Sequence, residues 1–392
     1  MTIKTILSTA ILAASCAAAG AAPSAPPAPL AIFSGAGLNQ SVGYSVATDG
    51  QRVLIGTATG TAFLYDPFTK QQLAKVTLPD PRFGTSVALQ GNTGVVGSRS
   101  GGYVYNFANL ASISRIDLTP NDLPAPQVGY SVDISGDVVI AGANSDATFG
   151  EFSGAAYLFN RTTGAQIAKL IANDAQQSDN FGISVAIDDG IAAVGSVQGG
   201  LNNTGAVYRF NAEPGFVGNR QLDRYDQQPP LSQRTFFAYN TDLNGQTIVA
   251  SEAYGQTFAW SVGGTPKALP NSAFNPHPYA DGISVSDDYI AVGFESQGLV
   301  RIFDKSGNLL TNLAPPAGSP FGFGVSVAIE GNLLVVGALG NSPGASRAFV
   351  YRVQDVLIPE PGGFAVACLG CSAVAFLRAE IGRLHSKRRQ GV

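Results

Sequence analysis

The amino-acid sequence predicts an all-β fold: a seven-bladed β-propeller of four-stranded blades, closed by an N-terminal strand and followed by a C-terminal transmembrane or sorting helix. Three observations lead there. One phrase recurs seven times along the 392 residues, each copy divides into four short strand-like runs, and the composition is that of a turn-rich sheet protein. Gly 47 and Pro 23 together make 18% of the chain, against an ordinary share of about 12%. Charged residues are only 13% and hydrophobic ones 45%, which excludes a highly charged disordered chain and a long coiled coil.

The phrase is aromatic-Gly-x-Ser-Val-Ala-apolar, a tight turn, an apolar run ending in Gly, a variable loop, then Gly-x-apolar-aromatic-x-aromatic-Asn/Asp. Its clearest copies are Phe181-Gly182-Ile183-Ser184-Val185-Ala186-Ile187 and Phe323-Gly324-Val325-Ser326-Val327-Ala328-Ile329. Anchored on the serine slot, the copies fall at Ser45, Ser86, Ser131, Ser184, Asn240, Gly282 and Ser326, spaced 41, 45, 53, 56, 42 and 44 residues apart. The residue ending the apolar run is Gly56, Gly97, Gly142, Gly195, Ser251, Gly293 and Gly337, always 11 positions beyond its anchor. An aromatic landmark (Tyr65, Tyr105, Phe159, Phe210, Trp260, Phe303, Tyr351) follows the anchor by 19 to 28 residues, so the variable length sits in the loop before it. Copies five and six carry Ala238 and Ala280 in place of the first Gly.

Within a copy, Ser-Val-Ala-apolar is the first strand. Turns such as Asp49-Gly50, Asp189-Gly190 and Asn244-Gly245 lead to the second. Tyr157-Leu158-Phe159 and its equivalents form the third strand, and segments such as 166–171 and 309–313 form the fourth. Four strands per ~40–50 residues, repeated, is the signature of a propeller. Copy seven lacks a clear fourth strand, while 30–33 precedes copy one as a spare; pairing the two closes the ring. Blades are covered on both faces, so little charge is expected in their strands.

The phrase resembles the FG-GAP family of propeller repeats, known from integrin α-subunit heads and bacterial surface proteins, over roughly residues 40–352. That resemblance implies a calcium loop of alternating Asp/Asn. Here only Asn144-Ser145-Asp146-Ala147-Thr148-Phe149-Gly150-Glu151 comes near it. Two carboxylates fall short of the 6–8 oxygens a hard cation takes. The reading is therefore a polar loop and no cofactor, with calcium the alternative.

Residues 1–21 read as a signal peptide: Lys4, an apolar stretch over 6–19, and Ala19-Gly20-Ala21 before the cut. Leu12-Ala13-Ala14-Ser15-Cys16 loosely resembles a lipoprotein signal, with Ala13 where that signal has Leu, so an ordinary signal is preferred. A Pro/Ala-rich linker (22–29) and the propeller (30–356) follow. In 357–392, Pro359-Glu360-Pro361 precedes a short apolar span (362–377), then Arg378, Arg383, Lys387, Arg388 and Arg389. The span is shorter than the ~20 residues of an unaided crossing, and the charge beyond it favours a cytoplasmic end. This order resembles the PEP-CTERM sorting signal, departing from it in Glu380 and in Cys368 and Cys371. It implies recognition by an exosortase-type enzyme and delivery to the cell envelope, cell surface or extracellular matrix, membrane-anchored at least before processing.

Chemistry is sparse. The three Cys (16, 368 and 371) lie in the two end segments, so the body has no disulfides and no thiol nucleophile. Its one His, His277, sits in Asn275-Pro276-His277-Pro278 and reads as a solvent-facing turn residue. A His/Cys zinc site cannot be assembled. The recurring serines read as structural, since a nucleophile is needed once. Asp188-Asp189 and Asp287-Asp288 occupy turns, where Asp serves the backbone. Without Lys4 and the five tail cations 17 basic groups remain, and without Glu360 and Glu380 25 acidic ones, a body charge of -8. Nucleic acid is a poor partner for it.

Tyr44, Tyr130 and Tyr239 share the slot before the anchor and read first as packing between blades, with an aromatic rim for a glycan the alternative. Loops 144–153, 198–204 and 339–345 should emerge on one face, offering Phe149, Phe152, Asn202 and Asn203 as contacts. The insertion 211–234, with Arg220, Arg224 and Arg234, offers a second surface. The functional expectation is an exported binding, adhesion or structural module, not an enzyme, whose partners are the processing enzyme, the membrane through its tail, and an extracellular polysaccharide or surface protein. The alternative is a secreted carbohydrate-active enzyme using carboxylates alone.

Overall fold

The computed structural model describes residues 26–35, 40–80, 82–122, 127–226, 236–253, 256–270 and 282–357. The expected signal peptide, the tail from Pro359 to Arg389, the span 362–377, His277 and Arg234 lie outside them. No helix among the described residues is long and apolar enough to cross a membrane. The unit running from Ala28 to Leu357 is a seven-bladed β-propeller, with seven four-stranded antiparallel sheets among the described residues.

Six blades use four consecutive strands each. The seventh borrows: Ala31–Ser34 joins the outer edge of Arg347–Arg352, pairing Ala31 with Val350 and Phe33 with Ala348. The closing strand expected at 30–33 is thus present, one residue later. Where a fourth strand would otherwise follow, the chain turns into the short helix Val353–Leu357. The first strands, from Ser45–Thr48 of blade one to Gly322–Glu330 of blade seven, contact one another around the axis.

The anchor and its partner at +11 face each other across the first hairpin. Ser45 pairs with Gly56, Ser86 with Gly97, Ser184 with Gly195, Asn240 with Ser251, Gly282 with Gly293 and Ser326 with Gly337. Constant spacing therefore reports a constant register, which a half-buried strand cannot shift without turning its apolar face outward.

The aromatic-Gly pair divides two tasks. Phe83, Phe181, Phe237 and Phe323 are fully buried and meet the third-strand aromatics of their own blade edge-on: Phe83 with Tyr103, Phe181 with Tyr208, Phe237 with Phe258 and Phe323 with Phe349, at centroid separations of 5.6, 5.5, 5.5 and 5.5 Å. Edge-to-face pairs at this range add to the gain from burial. Phe181 belongs to a cluster that also holds Ile140 and Leu158 of blade three, so it fills the seam between blades. The glycine then turns its carbonyl toward the preceding blade. Gly182 has φ +86, a conformation that costs a side chain dearly. Ser131 Oγ donates to its carbonyl at 3.1 Å, and Ser45 to Gly84 (2.8 Å), Ser184 to Ala238 (3.0 Å) and Ser326 to Gly43 (2.9 Å) do likewise. The last of these bridges the ring closure.

A methyl on Gly142 would overlap both the Gly182 carbonyl and the Ser131 hydroxyl. Gly142→Ala is expected to cost about 3 kcal/mol or more, because backbone has to give way. Ser131→Ala should cost only about 1 kcal/mol, one hydrogen bond with no clash. Urea denaturation of the two variants checks the ranking; equal stability would contradict the close approach.

Candidate functional site

The seven first strands enclose a channel. Its waist is one apolar or small side chain per blade from the slot after the anchor: Val46, Val87, Val132, Val185, Thr241, Ile283 and Val327. The waist separates two mouths of opposite character.

The first mouth is a funnel of about 830 Å³. Tyr44, Tyr130 and Tyr239 line it, with Thr85, Ile183 and Val325 in the same slot of other blades. These tyrosines reach the channel lining, Tyr130 and Tyr239 partly buried. The slot lies just before the first strand, where the chain rises to the channel rim, and Tyr44 stays 40% exposed. Burial of the rest of its ring raises the Tyr44 phenol pKa; nearby Tyr130 adds to this and Arg99 opposes it. The Arg99 guanidinium lies 5.6 Å from the Tyr130 ring centroid, a cation–π distance. Arg82, Arg99 and Glu295 complete the charged lining. Sequence reasoning missed all three. Arg99 and Glu295 occupy the slot 13 beyond the anchor, as do Ala58 and Leu339, so a slot-by-slot reading would have found this second ring.

The second-to-third strand loops open on this same face, because the second strand runs back toward the start of the first. Phe149 and Phe152 are 54% and 46% exposed there, Leu201 56% and Phe321 75%. Asn202 and Asn203 form a turn at φ +59 and +55. Phe321 escaped notice because Pro320-Phe321-Gly322-Phe323-Gly324 offers two Phe-Gly pairs and only the second fits the repeat.

The other mouth, of about 580 Å³, collects Asp49, Asp133, Asp188, Asp242, Asp287 and Glu330, with no basic side chain lining it among the described residues. Most of these carboxylates already hold backbone. Asp133 accepts from the Ile187 N–H of blade four (2.7 Å) and from Ile134 N–H (2.8 Å). Asp242 accepts from the Val285 N–H of blade six (2.7 Å), and Asp188 from Gly245 N–H (2.6 Å). Asp49 pairs with Arg52 at 3.1 Å. Burial, with the Asp242 charge, pushes Asp133 up to about 8; burial likewise pushes Asp242 up to about 7, with Asp188 adding repulsion. Asp189 and Asp288 stay in their turns, outside the lining.

The candidate calcium loop contains a cation of its own. Lys169 Nζ lies 2.9 Å from Asp146 Oδ2, 2.6 Å from Asp122 Oδ2 and 2.7 Å from Thr148 Oγ1. The Tyr157 hydroxyl donates to the same two carboxylates at 2.9 and 2.7 Å. Burial raises the Asp146 pKa, but bonds from Thr148, Lys169 and Tyr157 outweigh it and hold it below the ordinary value. Blade four repeats the plan, with Asp174 taking Arg224 at 2.6 Å and the Tyr208 hydroxyl at 3.2 Å. Arg224 is thereby paired at the surface, also with Asp226 at 3.0 Å, and Arg220 bonds the carbonyls of Asn211, Glu213 and Phe216. The insertion stays exposed over 213–219, and 221–226 supplies the fourth strand of blade four.

Two outcomes follow. Asp133 and Asp242 hold protons in the fold that the unfolded chain, with carboxyls near 3.8, has released. Stability must then fall as pH rises through that window. The melting temperature should drop by about 5 °C between pH 5 and 9, and less in an Asp133→Asn/Asp242→Asn variant. Lys169→Met leaves Asp146, 4% exposed, facing Asp122 without a counter-charge. The expected loss is about 2–3 kcal/mol, below the full cost of breaking a buried pair because Asp122 reaches solvent; urea denaturation reads it.

Two stretches of the chain, 118–159 and 165–210, match the FG-GAP repeat family. Each runs from the outermost strand of one blade to the third strand of the next, so the family's unit straddles a seam. No curated protein matches the chain. Among solved structures, the computationally designed Ika8 protein aligns over 84% of this chain and 99% of its own, at 14% identity and a TM-score of 0.52. Raptor from Chaetomium thermophilum aligns over 84% of this chain at 12% identity and a TM-score of 0.58, and the match spans 29% of the Raptor chain. At such identities the likeness is one of fold. The chain is a seven-bladed β-propeller, two stretches of which match the FG-GAP repeat family.

Proposed function

We propose that this protein is an exported binding module that holds an extracellular polysaccharide at the tyrosine-rimmed mouth of its propeller. The observation that carries the reading is the mouth itself: three tyrosines at one level of a funnel of about 830 Å³. Aromatic faces take the C–H faces of sugars, and tyrosine adds a hydroxyl at its wet end. Export rests on the segment 1–21, and sorting by an exosortase-type enzyme on Pro359-Glu360-Pro361 followed by the apolar span and the basic tail. Both segments support the reading that the protein works at the cell surface or in the extracellular matrix. Calcium has no part in the proposal, because Lys169 supplies the positive charge in the one loop that resembles a calcium site.

The second reading, a carbohydrate-active enzyme, is favoured by the opposite mouth, where protonated and ionised carboxyls lie together as acid–base pairs do. Against it, Asp133, Asp188 and Asp242 each accept a backbone N–H from a neighbouring blade. The test of both is a glycan array and a matrix pull-down with the purified full chain, followed by an assay for released reducing ends. Retention without hydrolysis is expected, with binding weakened about tenfold in a Tyr44→Ala/Tyr130→Ala variant. Hydrolysis abolished by Asp133→Asn would move the function to the other mouth.

A further inference from the structure

We propose that the ligand of the tyrosine-rimmed mouth is anionic, a polysaccharide whose sugar rings carry carboxylates. This inference rests on the reading of that mouth as a saccharide site and names the chemistry it selects.

The argument is one of placement. Arg99 comes from the rim of blade two and Arg82 from the connector entering it, so both guanidinium groups stand between the tyrosines of blades one and three. Tyr44, Arg99 and Tyr130 are near enough for the two phenols and the guanidinium to influence one another electrostatically, with Arg99 5.6 Å from the Tyr130 ring. Neither arginine makes an ion pair with a carboxylate among the described residues, whereas Arg52, Arg115, Arg161, Arg209 and Arg224 all do. Two uncommitted guanidinium groups flanked by two aromatic faces form a pairing for a sugar ring that bears a carboxylate. The ring stacks on tyrosine, and the planar fork takes the acid in two parallel hydrogen bonds.

The field of the ring supports the same choice. Among the described residues Glu295 is the one acid lining this mouth, while the far mouth has six carboxyl groups and no base. A polyanion is repelled from the far end and drawn to the arginine end, and focusing within a cleft strengthens that bias. In a body of charge -8, two unpaired arginines at a channel mouth are a local reversal of sign. Glu295 gives the site direction by disfavouring acid on the side of blade six.

The test compares three polymers on the purified full chain: alginate as polyuronate, dextran as neutral polysaccharide, and polyglutamate as a carboxylate polymer without sugar. Alginate is expected to bind at least about tenfold more tightly than either, with affinity falling as salt rises from about 50 to 300 mM. Arg82→Gln/Arg99→Gln should cost about tenfold toward alginate while leaving the melting temperature within about 2 °C, since both side chains are exposed. Glu295→Gln should tighten alginate binding. Equal binding of dextran and alginate, unaffected by the arginine changes, would overturn the anionic ligand and leave the saccharide mouth standing. Equal binding of polyglutamate would show that charge alone is read and overturn the sugar part. Retention of no polysaccharide would remove both readings together.

Discussion

The ring depends on one close approach repeated at its seams: the carbonyl of a left-handed residue entering one blade meets the first hairpin of the blade before it. At the seam between blades three and four, no side chain fits on the hairpin residue Gly142, and the anchor serine beside it donates to the incoming carbonyl. Neighbouring first strands belong to separate sheets, so their facing backbone groups need other partners, and buried groups left without them are costly. The serine answers this for the carbonyl. Because blade seven makes the same bond to Gly43, the closing seam is built like an internal one.

The seams that break the pattern show how the constraint is met otherwise. Blades five and six carry Asn240 and Gly282 at the anchor, and Gly282 has no side chain to act as serine does. Two positions later they have Asp242 and Ser284, where blades one, two, four and seven have Ala. Asp242 Oδ2 accepts from Val285 N–H and Ser284 Oγ from Ile329 N–H, each reaching the following blade. Each of these side chains holds the incoming N–H, as Asp133 does beside the serine tie of blade three. Blade five also keeps the left-handed turn with alanine, Ala238 at φ +64, a strain of about 1 kcal/mol that the packed seam maintains. Copy five, which looks degenerate as text, is thus intact at its joint with blade four.

This explains which parts of the molecule were legible in the sequence. The anchor, its partner at +11 and the seam glycine each perform a task required in every blade, so they recur and can be counted. The closing strand was legible because copy seven lacks its own. Three things were not. The place of Tyr44, Tyr130 and Tyr239 in the channel lining depends on where the first strand begins relative to the rim, which spacing does not encode. The charge of Lys169 meets Asp122 and Asp146 across 47 and 23 residues of chain, a distance no local motif spans. The fourth strand of blade four, Gln221–Asp226, has a burial pattern of alternating exposed and covered residues with three charges. Outer strands face solvent along one edge, so they lack the apolar run that marks inner ones.

The same distinction between groups engaged by the fold and groups left over separates the two mouths. Carboxylates crowd the far mouth, yet Asp133, Asp188 and Asp242 each hold an N–H of a neighbouring blade and Asp49 holds Arg52. Withdrawing any of these toward a ligand would open a seam or a turn. At the tyrosine mouth the lining is attached differently. Anchors and glycines beneath it hold the seams, while the slot before the anchor and the slot at +13 carry side chains of every kind, from Ala58 and Leu339 to Arg99 and Glu295. Positions that the joint does not need are free to vary blade by blade. A rigid ring whose joints lie below its rim can therefore change what it recognises without changing how it is held together.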